Sequence, residues 1–194
     1  MIGFMPEIYP DELLYSMFAR YYERSGYMAY IFAAEDLFQN KNERPDVEFI
    51  NRLTQDAQSV IHKKMSADEV IMNHTMFPYY GRFLGKERRT EAYFALLNTD
   101  GNYRNLLPIP KAKRQRFLRY CPMCVNMDRD KYGETYWYRA HQMQSVDICP
   151  IHFCVLQNTD IAIGSTTSPR FSAAENMIKD FEKIEVVEDE KERK

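Results

Sequence analysis

Two ligand pairs constrain this chain more than anything else in it. Cys121 and Cys124 form a C-x-x-C pair, and Cys149 and His152 form a C-x-x-H pair. Pro122 sits inside the first and Pro150 inside the second. Two ligands three positions apart fit one tight turn, so both side chains reach the same ion. Two such turns supply the four sulfur and nitrogen ligands of a tetrahedral zinc site. Four protein ligands leave no position for water, so the spacing predicts a structural Zn2+ rather than a catalytic one. The intervening residues 125–148 are more than the usual spacing between zinc pairs and can hold a helix and a short strand. Other readings compete. The fourth ligand is His152, with Cys154 and His141 as the alternatives. The cysteines as disulfide partners, or as buried thiols without metal, complete the set; nothing in the sequence suggests secretion.

A chain of 194 residues that is 45% hydrophobic has enough apolar material for a core, and 14 tyrosines and 12 phenylalanines make that core aromatic-rich. No apolar run is long enough to span a membrane. The opening MIGFMPEIYPDE lacks the basic start and apolar stretch of a secretion signal. Metal-spaced cysteines suit a reducing compartment, which makes the cytoplasm the expected location.

Taken in order, Pro6 and Pro10 keep the first residues extended. Asp11 and Glu12 then open a helix through Leu13, Leu14, Met17, Phe18 and Tyr21, closed by Gly26. Arg20 reads as a surface arginine on this core helix, with a reach back to an acid or out to a partner as the alternatives. Further helices are expected over Tyr27–Phe38, Asp46–Lys63 and Ala67–His74, the last with Ser66 and Glu69 as a capping box. His62 and His74 read as surface or satisfied core groups. Thr75–Phe83 reads as a loop because of Pro78 and Gly81, and Thr90–Leu97 as a helix. Glu134–Gln142 is expected to be a helix placing Trp137 and His141 on one face, with a strand over Val146–Ile148. Gly164–Pro169 reads as a linker, and residues 171–187 as a last helix before a charged end.

The fold class this predicts is mainly α. A helical region over residues 1–110 precedes a small zinc-stabilised, finger- or ribbon-like module with short strands over 111–158. Residues 159–194 are expected to form a linker, a helix and a charged tail, the end of a longer chain cut short.

Formal charge is −2 overall, yet residues 78–120 are basic. Arg82, Lys86, Arg88, Arg89, Arg104, Lys111, Lys113, Arg114, Arg116 and Arg119 face only Glu87, Glu91 and Asp100. Such a segment can neutralise phosphates with salt-sensitive, sequence-independent affinity, or form a solvated face paired with the chain's own acids. The candidate nucleic-acid contacts are Arg82, Lys111, Lys113, Arg114, Arg116 and Arg119. A catalytic metal site would need His141 with Asp128, Asp130 or Glu134, the one local set of suitable residues.

Two blocks resemble the TnsD/TniQ family of transposon target-site selection proteins. One is Pro10-Asp11-Glu12-Leu13-Leu14-Tyr15-Ser16 with Ala19-Arg20-Tyr21. The other is Tyr120-Cys121-Pro122-Met123-Cys124, Tyr132-Gly133-Glu134, Tyr136-Trp137, His141-Gln142 and Cys149-Pro150-Ile151-His152. The resemblance implies a role in DNA transposition by binding rather than by catalysis. Such proteins mark the insertion site by contacting double-stranded DNA or by joining a guide-RNA effector complex, and they recruit an AAA+ ATPase regulator. It implies zinc on Cys121, Cys124, Cys149 and His152. An adaptor that binds proteins without touching DNA is the alternative.

Overall fold

The computed structural model describes residues 2–98, 103–109, 116–144, 146–167, 170–179 and 184–187. The fold is mainly helical with one small antiparallel sheet. Helix α1 spans Leu14–Ser25, α2 Tyr30–Leu37, α3 Gln55–His62, α4 Ala67–His74, α5 Phe77–Gly81, α6 Lys86–Leu97 and α7 Tyr103–Leu106. Strand β1, Phe117–Tyr120, leads directly into α8, Pro122–Tyr132. A 3-10 turn at Ala140–Gln142, strand β2 at Gln157–Ala162 and the short α9 at Ala174–Met177 complete the order. The two strands pair as Arg119 with Asn158 and Tyr120 with Gln157, with a register shift before Phe117 meets Ala162. Among the described residues no helix is long and apolar enough to cross a membrane.

Helix α1 is the centre of the packing. Leu14, Met17, Phe18 and Tyr21 are buried, and Gly26 ends the helix in the left-handed region at φ 70°, where a side chain is disfavoured. The main core gathers residues from α1 to α7 and adds Leu118 and Tyr120 of β1, Val125 of α8, Trp137, Ile161 of β2 and Phe171. A second, smaller core surrounds the four cysteines with Tyr136, Tyr138 and Leu156.

Arg20 is where the two cores meet, and it is not on the surface. It is 2% exposed and Glu12 is fully buried. Arg20 Nε and Nη2 donate to the two oxygens of Glu12 at 2.9 and 2.7 Å. Its Nη1 donates to Glu134 Oε1 at 2.8 Å, and the guanidinium lies 4.1 Å over the Tyr9 ring. Burial pushes the Glu12 carboxyl up, against the pull of Arg20. Every polar atom of the pair finds a partner, which is the condition under which buried charge is tolerated.

Several elements differ from the expectation, each for a local reason. The helix expected from Asp46 begins only at Gln55. Asp46 Oδ1 accepts the N–H groups of Glu48 and Phe49, and Asn51 accepts the N–H of Asp46, so these side chains take the helical donors. Thr54 then caps α3 through the N–H of Ala57. The expected loop at Thr75–Phe83 contains α5, because Pro78 falls in the first turn, where its missing N–H costs nothing. The expected helix over Glu134–Gln142 is an extended segment ending in the 3-10 turn. Gly133 ends α8 at φ 78°, and the backbone beyond it bonds to residues 2–13, the N-terminal strap, and to the start of α1. Leu13 N–H donates to Trp137 O, Arg139 N–H to Asp11 O, and Trp137 N–H to Ser16 Oγ. The expected strand at Val146–Ile148 shrinks to one bridge between Ile148 and Val155. Of the last expected helix only α9 forms within the described residues. Beyond it, Glu185 O and Val187 N–H are taken by Val155 and Phe153 at the second cysteine turn. The capping box of α4 forms as expected: Ser66 accepts from Glu69 N–H, and Glu69 accepts from Ser66 N–H.

The Glu12–Arg20 pair generates a stability prediction. Arg20→Met or Glu12→Gln strands one buried partner and is expected to cost about 3–5 kcal/mol. Replacing Lys41, whose partner Glu35 is also exposed, is expected to cost less than about 1 kcal/mol. Urea denaturation of the three variants checks the contrast; equal losses would mean that Arg20 is not the tie between the two cores.

Candidate metal centre

The first ligand pair is built by a helix start. Cys121 is the residue before α8, Pro122 is its first residue, and Cys124 lies in the first turn. Proline at that position presets the backbone and gives up an N–H that has no helical partner. The second pair is a tight turn. Cys149 N–H donates to Cys154 O at 2.8 Å, and Phe153 N–H closes back onto Cys149 O at 2.9 Å. Phe153 takes φ 53°, an unusual conformation for a bulky residue, which bends the chain enough to bring His152 round. Ile151 N–H points at Cys149 Sγ at 3.4 Å.

The two turns bring Cys121, Cys124, Cys149 and His152 together, with every donor atom within 4.8 Å of the others. Cys124 Sγ lies 3.6 Å from Cys149 Sγ and 3.3 Å from His152 Nδ1. Cys121 and Cys149 Sγ lie 3.8 and 4.0 Å from the same nitrogen. Sulfurs at 2.3 Å and a nitrogen near 2.0 Å from a tetrahedral zinc sit roughly 3.6–3.8 Å apart. The donor set and its spacing therefore fit zinc. All four cysteines are free.

Crowding three thiols and an imidazole also has an electrostatic consequence. Cys121 and Cys124 both hydrogen-bond to Cys149 and hold its thiol far below the usual range. The same contacts, first with Cys121 and then with Cys149, drive Cys124 upward. Cys149 is thus the sulfur that gives up its proton most readily, while Cys121 and Cys124 hold theirs.

The alternatives for the fourth ligand take other positions. Cys154 Sγ faces Val155 O at 3.6 Å. His141 is buried behind the cluster, with Nε2 3.8 Å from Cys124 Sγ and its ring 4.7 Å from that of Tyr138. Tyr138 donates to Asp128 at 2.7 Å and Thr135 donates to the same carboxylate at 3.0 Å. Burial pushes Asp128 up to about 6. This polar layer orients α8 and the segment behind it. His141 and Asp128 in it carried a sequence signal, as members of the one local set that could have held a catalytic metal; Thr135 and Tyr138 carried none. Of the other acids weighed beside His141, Glu134 is committed to Arg20 and Arg24 and Asp130 is exposed.

The basic residues are dispersed. Arg116 forms a two-pronged pair with Glu48 at 2.9 and 2.8 Å, and hydrogen bonding to Glu48 raises it further. Arg119 donates to Asp147 at 3.0 Å and to Met143 O, and burial lowers it. Arg104 pairs with Asp46. Arg82 is exposed and stacks on Tyr79 and Phe83 at 4.7 and 4.6 Å. Lys111, Lys113 and Arg114 lie outside the described residues.

Comparison with known proteins bears on the same stretch. The family model described as TniQ matches residues 4–156, which include the N-terminal strap, α1 and all four clustered ligands. The chain is 29% identical over 152 residues to the transposon Tn7 transposition protein TnsD of Escherichia coli. That match covers 76% of this chain and 30% of the relative, so the chain spans less than a third of that protein's length.

Purified protein is expected to carry about one zinc per chain. Cys149→Ser and His152→Ala should each lose stoichiometric metal, and Cys154→Ser should keep it. His141→Ala should keep one zinc but bind it about 10–100-fold more weakly, as expected for a group that supports a ligand. Metal analysis and chelator competition read all four; loss of zinc in Cys154→Ser with retention in His152→Ala would reassign the fourth ligand.

Proposed function

The chain belongs to the TniQ family, and from that membership we propose that it takes part in selecting the target site for DNA transposition. The observation that carries this reading is the continuity of the match. One family model runs from the strap through Arg20 to the ligand cluster, so the proposed role attaches to the assembled unit rather than to a lone metal motif. Similarity to a TnsD transposition protein supports the same role.

In this reading the protein works by binding and not by catalysis. Zinc on Cys121, Cys124, Cys149 and His152 supplies a cross-link that holds two turns in one frame. The chain's own residues supply the contacts. Arg82 and the run Lys111, Lys113 and Arg114 meet phosphates of double-stranded DNA, with Arg116 and Arg119 at the edge of that path. An AAA+ ATPase regulator is the protein partner, and a guide-RNA effector complex is the alternative route to the target. The role places the protein in the cytoplasm.

A second reading, an adaptor without direct DNA contact, has an observation in its favour. Arg104, Arg116 and Arg119 already spend their charge on Asp46, Glu48 and Asp147. Moving them to phosphate would cost those pairs.

Two measurements separate the readings. Mapping insertions made by the parent element with and without this protein should show loss of the preferred site while the transposase still cuts the element's ends. An unchanged insertion map would refute the target-selection role. Mobility shift on random duplex DNA across a salt series should show binding that falls steeply with salt, weakened in a Lys111→Ala, Lys113→Ala, Arg114→Ala triple variant. No binding at low salt would leave the adaptor.

A further inference from the structure

Helices α4, α5 and α6 enclose a groove of about 510 Å³ that the site above does not use. Its floor and walls are Met72, Phe77, Leu84 and Tyr93, with Phe94 at the lip. Phe94 is 52% exposed, and Phe83, on the turn between α5 and α6, is 65% exposed. Large aromatic side chains left this open are unfavourable in water at about 25 cal/mol for each Å² of apolar surface. A contiguous open patch of them marks a binding surface more often than a lone exposed residue does.

The groove is also polar in one direction. Lys86, Arg89, Thr90 and Tyr93 follow one another at helical spacing along α6 and line it. The cations stand at the start of α6 and the aromatic rings one to two turns further on. Tyr93 OH donates to Asp68 at 2.9 Å, which occupies the nearest acid on α4. Of the other cations, Arg82 lies against Tyr79 and Phe83, and Arg88 turns away to the carbonyls of Leu106 and Asn105. Lys86 and Arg89 are the charged residues that line the groove, and Asp68 stands at its Tyr93 end.

We propose that this groove docks a helical segment of a partner protein that carries large apolar anchors followed by acidic residues. Charge complementarity decides the class of occupant. The anchors fill the space between Phe77, Tyr93 and Phe94, and the acids reach Lys86 and Arg89 about one to two turns away. Helix-in-groove recognition uses anchors at this spacing. Duplex DNA fits less well, because a groove floored by apolar and aromatic side chains offers little to a phosphate backbone. The inference stands on the groove and does not need the transposition role.

Peptide display on the full-length, zinc-loaded protein tests it. A random linear library is selected on the wild type and depleted on an Arg89→Glu, Phe94→Ser double variant. The expected consensus has two or more large apolar residues at helical spacing with acids on one side. A synthetic consensus peptide should bind at least tenfold more weakly to Phe94→Ser and to Arg89→Glu. Its acid-to-lysine version should bind a Lys86→Glu, Arg89→Glu variant better than it binds the wild type. Zinc content and circular dichroism of each variant confirm that it folds, and Lys86→Ala serves if the Phe94 change does not. Enrichment equal on both baits, a consensus without acids, duplex DNA competing through Lys86 and Arg89, or self-association abolished by Phe94→Ser would each overturn the proposal.

Discussion

A single guanidinium joins the first helix to the two cysteine turns. Arg20 sits between Glu12, on the strap that precedes α1, and Glu134, just past the end of α8. Because α8 begins inside the first cysteine pair, a fixed Arg20 fixes the direction from which Cys121 and Cys124 enter. The strap adds backbone bonds to Trp137 and Arg139, and Tyr9 stacks on Tyr132 at 4.3 Å. Charge buried this deeply is stable only when all its hydrogen bonds are made. That requirement makes the helical part and the cysteine part hold each other.

The ligand cluster adds the complementary constraint. Its own core is small, a few tyrosines and Leu156 around four cysteines, and it buries too little surface to fold by that alone. The cluster brings three sulfurs and a nitrogen from α8 and the second turn together, and residues 184–187 pair with that turn. The aromatic content finds its place here too: Tyr136 and Tyr138 stack at 4.3 Å beside the sulfurs and shield them from water.

Phosphate contacts are harder to place than the metal ligands, and the reason is physical. A run of bases in sequence says nothing about which carboxylates lie across space. Arg116 meets Glu48, which is 68 positions away, and Arg104 meets Asp46, which is 58 away. Net positive charge along a segment is therefore an upper limit on what remains for a partner.

The sequence by itself determined the features whose geometry is local. The spacing of Cys121, Cys124, Cys149 and His152 carried the cluster, because two residues on one turn can only point the same way. Ser66 and Glu69 carried the cap of α4, and Gly26 carried the end of α1. Only the tertiary structure decided the rest. Residues 135–138 are not helical, because the strap and Ser16 offer their peptide groups better-placed partners than their own turn. Arg20 looks like a surface residue in sequence, and it is buried because Glu12 and Glu134 converge on it from opposite sides. His152 joins the cluster, while Cys154, two residues on across the positive φ of Phe153, has its sulfur against Val155 O. Each depends on atoms brought together across long stretches of chain, which no local pattern records.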